Sequence, residues 1–210
     1  MKDTTSHGPD RQALFDVASE QSGYFTADQA ARCGYAPDML TYHVRRGTFQ
    51  RVHRGVYRFR DYPSSPHEHV AAAWLATSKD RAVVSHESAL DLWDLSDVVP
   101  EVVHLTVPRP QRSLANRPSP GVVVHTTARP WGEGEVRSHE GVRLTSPERT
   151  ILDAAEAGTQ PEQIELAIAQ AFRRGWLDAC RLRTKARARG RRVAHLVERA
   201  LAPHQPGEAS

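Results

Sequence analysis

Between Asp10 and Gln21 the apolar residues Leu14, Phe15, Val17 and Ala18 recur at the three- and four-residue spacing of an amphipathic helix, which Gly23 ends. Thr26 and Gln29 in T-A-D-Q have capping-box spacing, the Thr hydroxyl accepting the N3 amide while Gln29 reaches back to the cap, so a second, short helix runs to Cys33. Pro37 and Asp38 suit the first turn of a third helix that reaches about Arg46, with Leu40 and Val44 four apart on its inner face. Gly47 stops that helix. TFQRV and VYRFR then flank His53-Arg54-Gly55, two β-prone runs meeting at a glycine turn. Phe49 and Val52 would face opposite sides of a regular strand, which predicts a bulge or a short strand in that hairpin.

Beyond Asp61 the pattern begins again. S-S-P-H-E-H-V predicts a helix with Ser65 as cap, Pro66 at N1 and Glu68 at N3, carrying Val70, Ala71, Trp74 and Leu75. The run AVV follows, then a helix from Ser85 to about Leu95. EVVHLTV (101–107), GVVVHTT (121–127) and the pair around Val136 and 142–145 are β-branched runs separated by Pro, Gly and Asn clusters, which implies a small sheet. Ser146-Pro147 caps a helix through Asp153, Pro161 starts another striped by Ile164, Ala167, Ile168, Ala171 and Phe172, and two basic helices split by Gly190 follow. The reading is α+β: an N-terminal winged helix-turn-helix domain (1–62), then a mixed α/β domain (63–202) with a small sheet and terminal basic helices, and a disordered tail (203–210).

Composition narrows the class. A chain of 210 residues, 39% hydrophobic and 25% charged, has the balance of a soluble globular protein rather than a disordered one. No apolar run nears the roughly 18 to 20 residues that cross a bilayer, and MKDTTSHGPD lacks the apolar stretch of a signal peptide. Cys33 and Cys180 are too few for a disulfide framework or a four-ligand metal cluster, so a cytoplasmic location is expected, with no membrane partner. The net charge of +3 conceals three unlike regions: +3 over residues 1–60, −7 over 61–172 and +7 over 173–210. Arg45, Arg46, Arg51, Arg54, Arg58 and Arg60 fall in 16 residues without an acid, a block that reads as a polyanion-facing surface.

Three helices and a hairpin in that order make the layout of a winged helix, whose third helix enters the major groove while the wing touches the backbone. On this frame Asp38, Thr41, Tyr42, Arg45 and Arg46 lie opposite Leu40 and Val44. Thr41 or Tyr42 would touch base edges of double-stranded DNA, Arg45 has the fork for a guanine, and Arg51, Arg54 and Arg58 suit phosphates. The basic tail, with Arg173, Arg174, Arg181, Arg183, Lys185, Arg187, Arg191 and Arg192, has three competing readings: a second phosphate-contacting surface, a face for an acidic partner or second protomer, or helices packed by ion pairs on the acidic middle region. Neither a metal nor a cofactor is expected. His67 and His69 diverge by about 200° on a helix, and His104 and His125 read as packed or surface residues although one sheet could bring them together. Ser85, His86, Glu87 and Ser88, taken as consecutive helical residues, cannot converge on one reacting atom as a hydrolase triad would, so Ser85 reads as a cap. Cys33 reads as a small packed residue. The expectation is a non-enzyme.

The residues FTADQAARCGY and LTYHVRRGTFQRVHRGVYRF, then SHESALDLW (85–93), HLTVP (104–108) and LTSPERTILDAA (144–155), resemble the AbiEi antitoxins of bacterial type IV toxin–antitoxin systems. Gly47, Arg51, Val52, Arg54, Gly55, Val56 and Tyr57 look like that family's wing signature. The resemblance covers most of the chain. It implies a winged helix and an α/β antitoxin domain, repression of the protein's own promoter, and opposition to a nucleotidyltransferase-like toxin as functional partner; since palindromic operators mirror protein symmetry, a dimer on inverted repeats of DNA is also expected. Relatives that fuse the same N-terminal module to a nuclease need a D/E-x-K pair with an Asp for metal; the lysines here are Lys2, Lys79 and Lys185, and Thr77 and Arg183 stand two before the last two. The Gly-Ser loop and D-x-D of the toxin itself are also missing. From the residues alone, a winged-helix protein-interaction module or a general regulator without a toxin partner stays open as the alternative.

Overall fold

The computed structural model describes residues 8–78, 80–114, 120–129 and 131–202, and the tail expected to be disordered (203–210) lies outside them. Its backbone contacts divide the chain into two units, one running to Asp80 with Ser138–Val142 added, the other holding Arg81–Arg137 and the chain from Arg143. The sequence reading drew the boundary at 62; the contacts group the next helix with the first unit.

In the first unit the order is α1 (Arg11–Ser19), β1 (Tyr24–Thr26), α2 (Ala27–Arg32), α3 (Pro37–Arg45), β2 (Phe49–His53), β3 (Val56–Phe59) and α4 (Glu68–Thr77). Local chemistry sets these bounds. Asp10 caps α1 by accepting from the Ala13 amide, and Thr26 with Gln29 forms the complete capping box of α2. Pro37 stands at N1 of α3, and Gly47 at φ 77° turns the chain out of it. The register of β2 against β3 shifts between Arg51 and His53, the irregularity anticipated from Phe49 and Val52. A strand that the apolar pattern did not announce, β1, pairs antiparallel with β3 and gives the sheet order β1-β3-β2. Leu14, Ala18, Phe25, Ala30, Leu40, Phe49 and Phe59 close over this sheet as the core, with Phe25 edge-on to Phe49 at 5.0 Å. α4 packs against all three strands but begins later than Ser65 and Pro66 suggested, its N-cap being His67. The Glu68 carboxylate accepts from the Ser65 amide at 3.3 Å and also pairs with Arg58, as described below.

The second unit is built on a five-stranded sheet ordered β6-β5-β4-β8-β7, from β4 (Val83–Val84), β5 (Val103–Pro108), β6 (Val122–Thr127), β7 (Val136–His139) and β8 (Val142–Thr145). The pairs β5–β6 and β4–β8 are parallel, whereas β4–β5 is antiparallel. Around it stand α5 (His86–Leu92), α6 (Pro147–Ala157), α7 (Pro161–Arg173), α8 (Ala179–Arg187) and α9 (Arg191–Leu201), with α5 on α6, α6 on α7, and both α7 and α8 on α9. Among the described residues, Leu90, Leu95, Leu105, Leu144, Ile151, Leu152, Ile164, Ile168 and Leu182 are its fully buried large side chains. Ser146 caps α6 through the Arg149 amide, Pro147 follows at N1, and the helix continues past Asp153 to a left-handed Gly158. Arg109–Leu114 adds a 3₁₀ turn that the sequence pattern did not signal. Among the described residues no helix is long and apolar enough to cross a membrane.

Candidate nucleic-acid interface

Burying Leu40 and tucking Val44 against the core turns the other side of α3 outward, so Asp38, Thr41, Tyr42, Arg45 and Arg46 are exposed. Arg46 is the C-cap residue; its Nε–H donates to the Tyr42 hydroxyl at 3.0 Å and its guanidinium lies 5.5 Å from the Tyr42 ring centre. The exposed tyrosine thus holds one arginine fork in place. Thr41 donates to the Pro37 carbonyl one turn back. On the hairpin, Arg51 on β2 and Arg54 in the turn before Gly55 are exposed, as is Arg60 after β3. Among the described residues no ion pair engages Arg45, Arg51, Arg54 or Arg60, so their charge stays available to a polyanion.

Arg58 departs from this set and corrects the sequence reading. Its side chain is only 9% exposed and forms a 2.9 Å ion pair with Glu68, while the same nitrogen donates to the carbonyls of Tyr62 and Pro63. It ties β3 to the start of α4, and it cannot contact phosphate from there. Alternation along β3 puts Arg58 on the same side as buried Val56, which is the physical reason it turns inward.

The basic helices of the second unit are also largely neutralised from within. Arg181 pairs with Glu148, Lys185 with Glu135 and Glu148, and both Arg183 and Arg187 with Glu198. Arg174 donates to the Trp93 and Asp94 carbonyls and to the Asp94 carboxylate, and Arg192 to the Glu156 carbonyl. Arg173 and Arg191 are exposed. Of the three readings of the tail, helices packed by ion pairs on the acidic middle region is the arrangement these contacts make. Burial alone would raise the Glu135 pKa, but hydrogen bonds from Lys185 and the Gly132 amide, with the charge of Arg149, bring it down to about 2.

At the centre of that network is Arg149 of α6, 4% exposed in its side chain, which donates to Asp153, Glu135 and Thr127 and lies 5.1 Å from the Trp131 ring centre. Arg189, between α8 and α9, pairs with Asp153 and Glu156, and Arg129 after β6 pairs with Glu156. The same region gathers histidines that the sequence left apart. His104 Nδ1 and His125 Nε2 are 2.9 Å apart across β5–β6, and His86 stacks on His125 at 3.8 Å between centroids. Ser85 Oγ lies 2.8 Å from His86 Nδ1 and 2.7 Å from Thr106 Oγ1, and it makes no side-chain cap bond to α5. The sequence argument had assumed helical geometry, whereas Ser85 is extended at φ −151° and His86 is left-handed at φ 53°, so the neighbouring side chains do meet. Ser85 is fully buried, with its hydroxyl held between His86 and Thr106. Burial, with repulsion from His125 and His104, lowers the His86 pKa to about 2, and burial also lowers those of His104 and His125. Among the described residues no group of three or more His, Cys, Asp or Glu side chains is disposed to hold a metal ion. Cys33 is half-buried against the first core, and Cys180 is exposed.

Comparison with known proteins bears on both units. No curated protein matches the chain significantly. Among solved structures, the RV2827C protein from Mycobacterium tuberculosis shares the fold at a TM-score of 0.55, over 94% of this chain and 81% of that one, at 18% identity. Residues 12–60 match the family model described as a transcriptional regulator, AbiEi antitoxin. They span α1 through the hairpin, with Arg45, Arg46, Arg51 and Arg54 inside the match, so the similarity to the AbiEi antitoxin transcriptional regulators lies in this N-terminal segment.

Proposed function

We propose that the protein is a DNA-binding antitoxin that represses its own promoter and opposes a nucleotidyltransferase-like toxin. The observation that carries the DNA-binding part is the outward face of α3 with its hairpin: Thr41, Tyr42, Arg45 and Arg46 on the helix, Arg51 and Arg54 on the wing, on the matched family module. Arg45 and the Tyr42-held Arg46 supply forks for guanine edges in the major groove, and Arg51 and Arg54 supply charge for phosphates. Two copies on an inverted repeat would present two such helices about one turn of duplex apart. The antitoxin part rests on the family description, and the second unit is its natural carrier.

Fluorescence anisotropy of the full chain on its own upstream duplex and on random duplex, across a salt series, tests the DNA-binding reading. The expected result is a preference for the upstream duplex of about 10³ or more, lost in R45A/R46A. In R51A/R54A the log–log salt slope becomes shallower by about 2, because each phosphate contact contributes about −0.9. Equal binding to both duplexes overturns the regulator reading. For the antitoxin part, co-expression with a nucleotidyltransferase-like protein encoded beside the gene is expected to restore growth, and continued arrest overturns it.

A further inference from the structure

Within the second unit, a cleft of about 500 Å³ opens between β5, β6 and α6, lined among others by His86, His125, Thr126, Arg129, Arg149 and Arg189. Ligand pockets for small molecules run from about 300 to 1,000 Å³. We infer that this cleft is a binding site for a small phosphate ester. The inference stands on the second unit alone and does not depend on the DNA-binding reading.

Hydrogen-bonding capacity gives the sign of the ligand. The carboxylates at the cleft are already engaged: Asp153 accepts from Arg149 and Arg189, and Glu156 from Arg129 and Arg189. The donors exceed them. A guanidinium has five N–H groups. Arg189 uses only its NH1 nitrogen on these acids, leaving Nε and NH2 uncommitted among the described residues. Arg149 bonds once from each terminal nitrogen, to Glu135 and Thr127, and Arg129 keeps its Nε. Arg129, 47% exposed in its side chain, stands at the rim of the cleft. What fits is a group that only accepts, and that can take bonds from more than one guanidinium. A carboxylate satisfies one fork, whereas a phosphate monoester offers three oxygens to several.

The wall opposite the arginines is fixed rather than pliable. His86 holds a left-handed backbone at φ 53°, a conformation that costs a non-glycine residue free energy and that persists where surrounding structure enforces it, often at functional sites. Ser85 holds its Nδ1, His125 stacks on its face, and Thr106 holds Ser85. The ring is thereby presented to the cleft in one orientation, with Nε2 as its uncommitted nitrogen among the described residues.

Full-length protein with ¹⁵N-labelled histidine, titrated at constant ionic strength with inorganic phosphate, adenosine monophosphate or acetate, tests the assignment. The expected result is saturable movement of the His86 and His125 ring resonances with a phosphate-bearing probe, at least tenfold tighter than with acetate. R129Q should weaken that binding about threefold and R189Q at least tenfold, while R51A/R54A leaves it unchanged. R189Q removes one partner of Asp153, so R129Q, at a half-exposed side chain, keeps the test valid where R189Q folds poorly. Shifts that grow linearly without saturation overturn the assignment, as do shifts confined to His43 and His53 of the first unit or equal affinity for acetate.

Discussion

Replacing Arg149 with Met removes one side chain from the centre of the ion-pair network while keeping most of its volume. The guanidinium donates to Asp153 at 3.0 and 2.9 Å, to Glu135 at 2.9 Å and to Thr127 at 3.2 Å. Asp153 is 6% exposed and would lose one of its two cationic partners, retaining Arg189; Glu135 would retain Lys185. Breaking a buried ion pair from one side costs about 3 to 5 kcal/mol, because the abandoned charge stays desolvated. Since both acids keep a second partner, the lower end applies, about 3 kcal/mol, or roughly 6 to 12 °C in Tm for a chain of this size. The paired variant R149M/D153L removes the abandoned charge as well and should lose less than R149M alone, although it carries more changes. Urea denaturation followed by circular dichroism measures both. A loss under about 1 kcal/mol for R149M, or a double variant as unstable as the sum of its singles, would refute the view that the network is held by buried, mutually dependent charges.

Other consequences are as accessible. R58M should lower stability by about 1 to 3 kcal/mol, since it abandons Glu68 and two carbonyls, yet leave the salt slope of DNA binding unchanged; a shallower slope would return Arg58 to the phosphate-contacting set. T26A breaks the capping box of α2 and should cost about 1 kcal/mol by urea denaturation. Y42F leaves the ring but frees Arg46, and should weaken binding to the upstream duplex by about three- to tenfold. His86, His104 and His125 are held below the ordinary 6.5 in the folded chain, so the unfolded chain takes up protons first. The stability they confer is therefore complete above pH 6.5 and is lost as pH falls from there, by at most about 1.4 kcal/mol per pH unit for each ring. Below the ordinary 4.5 of a glutamate, Glu135, lowered to about 2, adds to the loss. Urea midpoints between pH 7.5 and 5 should fall with this sign, and H86Q should flatten the slope.

The readable parts of this chain were those where a local rule decides. Thr26 with Gln29, Pro37 at the start of α3 and the mismatch of Phe49 with Val52 each predicted what the backbone does, because capping, proline geometry and strand alternation act within a few residues. β1 was illegible because its three residues are extended only through pairing with β3. Arg58 was misread by counting charges along a segment instead of following its alternation with Val56. Glu68 reaches back to the Ser65 amide as expected while also pairing with Arg58, yet the helix itself starts later, with His67 as its cap. The candidate site in the second unit was the least visible. His86, His104 and His125 meet only through the parallel register that sets Thr106 beside His125, and no spacing along the chain encodes that register.

The order of strands in the second unit bears on how the chain is made. β4 is two residues long, yet it lies at the middle of five strands and pairs with β5 and, through Val84 and Leu144, with a strand sixty residues further on. The strands of the three-stranded sheet, by contrast, all lie between Tyr24 and Phe59. On the ribosome, where synthesis proceeds at about 5 to 20 residues per second, the helix–hairpin module has its strands in hand long before residue 145 emerges, while the central sheet must wait for β8 and pay the slow search of distant partners. During that interval the nascent chain would present a finished three-stranded sheet with its helices ahead of an unfinished five-stranded one, so synthesis itself would deliver the two sheets in sequence.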